Sequence, residues 1–514
     1  MKGLYATAVL RKFALLCHAK GRIFYEFTSK FTMIENYEAI IGLEVHAQLL
    51  TATKAFCRCS TSYSLSPNAH TCPVCLGLPG ALPVLNSKVV DYAVKMGLAT
   101  HCSIREYSVF SRKNYFYADL PKGYQISQYE DPICHHGYID IEVGEESATK
   151  RIGITRIHME EDSGKSIHDV DIDTLVDLNR SGVPLIEIVS GPDMRTAREA
   201  YQYLNQIRQI VMYLGICDGN LEEGSLRCDA NISVRKKGAT EFGTKIEIKN
   251  LNSFRNVEKA IEYEIKRQVE AVESGQILMQ ETRMWDAGTH QTKSMRSKEF
   301  AHDYRYFPEP DLAGVSVSEA MIAQIRQSMP ELPLARKQRF VSEYGLPWYD
   351  AGILTETQSL GTYFEQCCQS LGEQTKERYK LVSNWIMTEV LRYLSEKGIG
   401  IEQFPVSPSH IAELVELFAA ELISSKIAKD IFPDVIGGES PKSVVERKGL
   451  LQISDESIIL AVVEKILAEQ FENVAKYREG KKNLFGHFVS STLKELGGKA
   501  NPRIVTKLLQ ERLQ

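Results

Sequence analysis

The feature that most constrains this chain is a change of hydrophobic period near residue 317. Before it, apolar residues recur at every second position in short runs; after it, they recur at helical spacing. With 514 residues, the chain is also too long for one core. Together these call for an α+β fold, with a mixed-sheet domain followed by an all-α helical region and a helical tail.

The first clear strand spans residues 38–49. Ala39, Ile41, Leu43, Val45, Ala47 and Leu49 face one way, and Glu38, Ile40, Gly42, Glu44, His46 and Gln48 face the other. Strand-like runs recur at 138–143, 150–159, 184–189, 225–234 and 244–249, with helical patterns at 89–98 and 196–214. Farther on, Ser407 reads as an N-cap before Pro408, and Ile411, Leu414, Val415 and Phe418 form a helical stripe. Ile459, Val462, Val463, Ile466 and Leu467 repeat it, while Gly437, Gly438 and Pro441 mark a break. The expected organisation is a basic extension at 1–36, a sheet domain at 37–317, a helical domain at 318–437 and a basic tail domain at 438–514.

Charge is uneven. The chain carries a net charge of -5, yet residues 1–32 hold six Lys/Arg against one Glu, and residues 474–514 hold nine Lys/Arg against three Glu. A basic tail on an acidic molecule is how a polyanion-binding appendage looks, and Lys476, Arg478, Lys481 and Lys482 are its densest part. The basic start lacks an apolar segment followed by a small-residue cleavage site, which argues against secretion. A start at Met33 is simpler than a mitochondrial presequence, so the cytoplasm is the expected compartment. No uncharged apolar run is long enough to span a membrane.

Four cysteines carry the sharpest metal signal. Cys57-Arg58-Cys59 and Cys72-Pro73-Val74-Cys75 are paired at knuckle spacing, which suits a structural zinc with no open position. A second signal is Glu187, a carboxylate inside the apolar run 184–189, where it needs a metal or a charged partner. Glu44 and His46 share the polar face of the first strand; Arg227 and Asp229 share that of 225–234, entered through Glu222 and Glu223. A further cluster, His158-Met159-Glu160-Glu161-Asp162, ends the run at 150–159. Alternation there leaves both glutamates open, because Ile152 and Ile154 are even while Ile157 and Met159 are odd. Carboxylates with a single His suggest Mg²⁺ rather than a second zinc. Gly164-Lys165-Ser166 does not complete a P-loop, since Met159 stands where the first glycine belongs. Phosphate contacts therefore fall to Arg112, Lys113 and Arg227.

These residues lie in motifs that resemble a known family. Residues 42–46 (GLEVH), 112–117 (RKNYFY), 158–165 (HMEEDSGK), 184–190, 222–231, 249–253 (KNLNS) and 303–310 (DYRYFPEP) are similar to those of the B subunits of aspartyl/glutamyl-tRNA(Asn/Gln) amidotransferases. The likeness runs from Tyr37 to the C-terminus. It implies a cradle-shaped kinase domain, a helical domain and a YqeY-like tail that binds tRNA. It also implies use of ATP and Mg²⁺ to phosphorylate the side-chain carboxylate of Glu or Asp mischarged on tRNA, after which ammonia displaces phosphate. Position by position, metal ligation falls to Glu44, His46, Glu161, Glu187 and Asp229, and ATP contacts to Arg112, Lys113, Glu223 and Arg227. No amidase signature is present, so the family implies a heterotrimer with a separate amidase (the A subunit) and a small C subunit. The competing readings are a non-catalytic tRNA-binding scaffold and a metal-dependent amidohydrolase that needs no ATP.

Overall fold

A computed structural model describes residues 34–514 apart from 65, 145–147, 169–170, 298–303, 452–454, 498–499 and 514. The basic extension before residue 34, Met33 and Asp303 lie outside the described residues. The chain forms two compact units, Met1–Leu332 and Pro333–Gln514.

The first unit opens with β1 (Tyr37–Gln48), α1 (Ser87–Ala99), β2 (Ser103–Ile104), β3 (Tyr107–Ser108), β4 (Ser111–Asn114) and β5 (Tyr124–Ser127). It continues through β6 (Cys134–Glu142), β7 (Thr149–Glu161), β8 (Lys165–Ile167), β9 (Leu175–Asp177), β10 (Pro184–Ser190) and α2 (Ala197–Tyr213). It closes with β11 (Leu226–Lys236), β12 (Ile246–Lys249), α3 (Phe254–Glu273), β13 (Glu281–Asp286), β14 (Gln291–Ser297), β15 (Phe307–Pro308), β16 (Val315–Ser316) and α4 (Glu319–Gln327).

Nine strands form one sheet in the order β14-β13-β12-β11-β1-β10-β7-β6-β2. Neighbours pair antiparallel except β12 and β13. Strand β1 is central, and its alternation does what the sequence requires: Ile41, Leu43, Val45 and Ala47 are buried among apolar residues of α1, α2 and α3, including Ala93, Leu204 and Ile261. Helix α2 starts where Thr196 accepts a hydrogen bond from Glu199 N, and α3 starts where Ser253 accepts one from Asn256 N. With the helices on one face, the polar face of β1 and its neighbours stays available for chemistry. A small sheet, β15-β4-β5, supplies residues to the end of β7.

Strand β7 explains the mixed parity of its sequence. Arg156 pairs with Val189 but Ile154 pairs with Ser190, so Thr155 is an extra residue at a β-bulge. The bulge switches the phase: Ile152 and Ile154 are buried before it, Ile157 and Met159 after it. Beyond Thr155 the even positions Arg156, His158 and Glu160 therefore share the polar face, and Glu161 falls on the other.

The second unit is helical. One core gathers residues from Phe340 to Val445, and another gathers Ile459, Val463, Ile466, Phe488, Val505, Leu509 and their neighbours. The cap at Ser407 forms as expected, accepting from His410 N, with Ile411, Leu414 and Val415 buried. Two boundaries differ from those read in the sequence. The division expected at 317 lies at 332, because Ile325 of α4 buries itself in the core of the sheet unit with Met321 and Ile322 packed against it. The break expected at 437 is a turn inside the helical core, since Val444 and Val445 pack back into it. No described helix is long and apolar enough to cross a membrane.

Candidate active site

Strand register builds the site. Glu187 of β10 pairs with His158 of β7 on one side and with His46 of β1 on the other, and His46 pairs in turn with Arg227 of β11. One row across four strands thus carries His158, Glu187, His46 and Arg227. Glu160, two residues along from His158, completes the cluster. His46 Nε2 lies 3.3 Å from Glu187 Oε2, and His158 Nε2 lies 3.1 Å from Glu160 Oε1 and 3.5 Å from Glu187 Oε2. Ligand atoms of His46, Glu160 and Glu187 all fall within 4.8 Å of one another.

The surroundings hold Glu160 in place. Ser127 Oγ donates to its Oε1 at 2.6 Å and Gln125 Nε2 to its Oε2 at 3.1 Å, so β5 aims the carboxylate at the cluster. Burial pushes the Glu160 carboxyl up, but Lys113 and His158 outweigh it and bring it down to about 2. Burial of Glu187 is outweighed in the same way by His158, His46 and Lys113, which hold it below the usual carboxylate range. For His46, burial favours the neutral ring, yet the hydrogen bond and charge of Glu187 raise it. Lys113 of β4 faces the same cluster: burial alone would lower it, but Glu160, Tyr306 and Glu187 raise it above the ordinary lysine value. Two ionised, buried carboxylates with one imidazole are a donor set for a hard divalent cation.

The expected site residues separate into those the structure gathers and those it does not. His46 and Glu187 meet as read from the sequence. Glu44 stands one step along β1, accepts a hydrogen bond from Asn231 Nδ2 at 2.8 Å, and is raised by burial and by Glu187. Asp229 pairs in register with Glu44 but is bound to Lys249 Nζ at 2.6 Å. Glu161 is not in the cluster: the bulge turns it to the other face, where it accepts from Ile126 N at 2.9 Å and pairs with Lys122. The glutamate in the cluster is Glu160, and the change of parity after Ile154 was the signal for it.

Of the expected phosphate contacts, Lys113 faces the cluster and Arg227 lies in its row, where its guanidinium meets Asp162 Oδ2 at 2.8 Å. Arg112 alternates to the opposite side of β4 and forks onto Glu309 at 2.7 and 2.8 Å. Glu223 sits exposed in the turn before β11, its N–H bonded to Asn220 Oδ1. His158, which touches both carboxylates, belongs to the cluster read at the end of the 150–159 run but was given no role there, and Ser127, whose hydroxyl no motif singled out, is the residue that sequence reading missed.

Cys57, Cys59, Cys72 and Cys75 come together as the spacing implies, with all four Sγ atoms within 4.8 Å of one another. Sulfurs around a tetrahedral zinc sit about 3.8 Å apart; Cys72 and Cys75 Sγ are 3.9 Å apart, and Cys72 N lies 3.1 Å from Cys75 Sγ. Hydrogen bonding from Cys57 holds Cys75 down to about 4, while that same bond and burial push Cys57 up. The fully buried Lys54 reaches Cys75 Sγ at 3.6 Å and ties the knuckle to His70 O and Leu178 O. In the second unit Lys476, Arg478, Lys481 and Lys482 are all exposed, and Lys482 Nζ stands 4.1 Å from the Tyr477 ring centre.

The chain as a whole matches known proteins. Residues 39–323 match the family model described as the GatB/GatE catalytic domain, and residues 362–513 match the one described as the GatB domain. The B subunit of the aspartyl/glutamyl-tRNA(Asn/Gln) amidotransferase of Chlorobium chlorochromatii is 54% identical over 480 residues, 93% of this chain and 100% of that protein. Proteins of the same name from Chlorobaculum tepidum and Thermodesulfovibrio yellowstonii are each 54% identical, covering 93% and 92% of this chain and 99% and 98% of their own.

Proposed function

Because this chain belongs to the family of aspartyl/glutamyl-tRNA(Asn/Gln) amidotransferase B subunits, we propose that its polar sheet face activates the side-chain carboxylate of Glu or Asp mischarged on tRNA. The carboxylate oxygen attacks the terminal phosphorus of ATP, ADP leaves, and an acyl phosphate forms; ammonia then adds at the carbonyl carbon and phosphate departs, leaving the amide. The observation that carries this reading is the row His158, Glu187, His46 and Arg227, joined by Glu160.

Phosphoryl transfer asks mainly for positioning and charge neutralisation. His46, Glu160 and Glu187 would hold Mg²⁺, which when bound offsets charge on the phosphates. Lys113, kept cationic by Glu160 and Glu187, neutralises phosphate from the β4 side, and Arg227 does so from β11. His158 donates toward both carboxylates and fixes their orientation. Cys57, Cys59, Cys72 and Cys75 would bind a structural zinc, with Lys54 tempering the charge of the thiolates. The ammonia comes from a separate amidase (the A subunit) in a heterotrimer completed by a small C subunit, and the exposed cations 476–482 meet the tRNA backbone. The domains follow as a catalytic sheet domain, a helical domain and a tRNA-binding tail, in the cytoplasm.

The test is ATP hydrolysis by the assembled complex, with and without misacylated tRNA. The wild type should hydrolyse ATP only with Mg²⁺ and faster with the tRNA, and Glu187→Gln should abolish this while glutamine hydrolysis by the partner survives. Amide formation without ATP, or unchanged phosphorylation in Glu187→Gln, would overturn the proposal.

A further inference from the structure

Two side chains of β5, Gln125 and Ser127, stand two residues apart on the side of their strand that meets the cation cluster. They are buried, at 7% and 1% exposed, and both are bonded to Glu160. A carboxylate already faced by Lys113 does not need them for charge, so what they add is direction.

The donors are shared unequally between the two oxygens of Glu160. An ionised carboxylate has about four lone-pair sites, split evenly between its oxygens. Oε1 accepts from Ser127 Oγ at 2.6 Å and lies 3.1 Å from His158 Nε2. His158 Nδ1 is buried with no hydrogen-bond partner among the described residues, so the ring uses its N–H at Nε2. Both sites on Oε1 are therefore taken. Oε2 receives a single donor among the described residues, Gln125 Nε2 at 3.1 Å, and keeps one site open.

The amide of Gln125 cannot turn round. Its nitrogen also donates to Glu161 O at 2.7 Å, which an amide oxygen in that place would repel, and its Oε1 accepts from the Tyr115 hydroxyl at 3.2 Å. The chain Tyr115, Gln125, Glu160 thus holds Oε2 in place. The bond from Ser127, an O–H on a charged oxygen, is of the strong kind and holds Oε1. Glu160 is left to meet a cation through one oxygen.

A one-oxygen ligand suits some cations better than others. Mg²⁺ is small and octahedral, keeps several of its waters and needs few carboxylate oxygens, whereas Ca²⁺ gathers about six to eight oxygens and readily takes both from one carboxylate. We infer that Ser127 sets the cation specificity of this site: by occupying Glu160 Oε1 it denies Ca²⁺ a two-oxygen grip and leaves a ligand fit for Mg²⁺. Gln125 and Tyr115 are positioning residues for the oxygen that remains. The inference rests on the proposed reading of His46, Glu160 and Glu187 as the cation site.

The experiment titrates the assembled complex with Mn²⁺, an octahedral stand-in for Mg²⁺, and with Ca²⁺ in competition, counting only the Mn²⁺ that Glu187→Gln fails to bind. Ser127→Ala opens Oε1 and should raise the affinity for Ca²⁺ relative to Mn²⁺ about tenfold or more, the scale of one charge-assisted hydrogen bond that no longer competes. Ser127→Thr, which keeps a hydroxyl, should restore the wild-type ratio. Gln125→Met and Tyr115→Phe should weaken both cations alike and leave the ratio where it was, because Oε1 stays occupied. An unchanged ratio in Ser127→Ala would overturn the inference, and so would an equal shift in Gln125→Met. Failure of the phosphoryl-transfer reading shows separately, as ATP hydrolysis indifferent to the cation while the Ser127→Ala ratio still moves.

Discussion

Glu160 and Glu161 adjoin in sequence but face opposite sides of β7, so replacing each by glutamine should have a different effect. Glu161 pairs with Lys122 where both side chains are largely buried, 3% and 9% exposed. Its neutralisation strands a buried ammonium, and breaking one partner of such a pair costs about 3–5 kcal/mol. At roughly 2 °C of Tm per kcal/mol for a large unit, Glu161→Gln should melt about 6–10 °C lower. Glu160→Gln keeps an oxygen for Ser127 and leaves Glu187 facing the buried Lys113, so although it loses the attraction of Lys113 and His158 its Tm should fall less than that of Glu161→Gln. Metal binding should separate them in the other direction. Loss of groups that merely orient ligands costs about 10–100-fold in affinity, so Glu160→Gln should lose about 100-fold or more for Mn²⁺ while Glu161→Gln holds it near the wild-type value. Thermal unfolding and Mn²⁺ titration of the complex read both quantities. A Glu161→Gln protein that loses the metal, beside a Glu160→Gln protein that keeps it, would refute the placement of the two carboxylates.

Other expectations follow from the same contacts. Cys72→Ser should lower zinc content from one equivalent per chain and reduce thermal stability more than ATP turnover; metal analysis of protein purified without chelator checks it. Replacing Lys476, Arg478, Lys481 and Lys482 by alanine should weaken tRNA binding and flatten its dependence on salt, because each phosphate neutralised steepens that dependence; an unchanged slope in a filter-binding titration would mark them as a merely solvated face. Arg112→Ala should destabilise the sheet unit by about 3–5 kcal/mol, since the buried Glu309 then loses its cationic partner and keeps only the Asp311 N–H, yet leave ATP affinity unchanged. Denaturant unfolding with nucleotide titration separates the two effects.

Much of this site can be read without coordinates. The apolar run at 184–189 and the alternating run at 225–234 are present as strands β10 and β11, and Glu187 announces itself as a carboxylate in an apolar run. Cross-strand register is a property of the assembled sheet, however, and only the fold reveals that Glu187 stands between His158 and His46. Arg112 and Lys113 are a more instructive case. Adjacent residues in a strand face opposite ways, so both could not reach the same phosphate. The partner that claims Arg112, the buried Glu309, is nearly two hundred residues away and left no local sign. Boundaries failed for a similar reason: the amphipathic pattern of α4 says that it packs, but not against which unit.

The bulge at Thr155 sets rules for how β7 can change its length. Toward β10 Thr155 is extra, because Arg156 and Ile154 pair with the successive residues Val189 and Ser190. Toward β6 it stands opposite His136, between the pairs Arg156–His135 and Ile154–Gly137, so removing it alone would slip the β6 register by one residue. The stretch from Arg156 to Asp162 is bound more tightly still. One residue gained or lost between His158 and Glu160 would exchange the neighbours' faces, sending one glutamate from the cation cluster toward Lys122 and drawing the other in. Within β7, a change of length at Thr155 therefore calls for a matching change at His136 of β6, whereas a few residues later no partner change would restore the faces of Glu160 and Glu161.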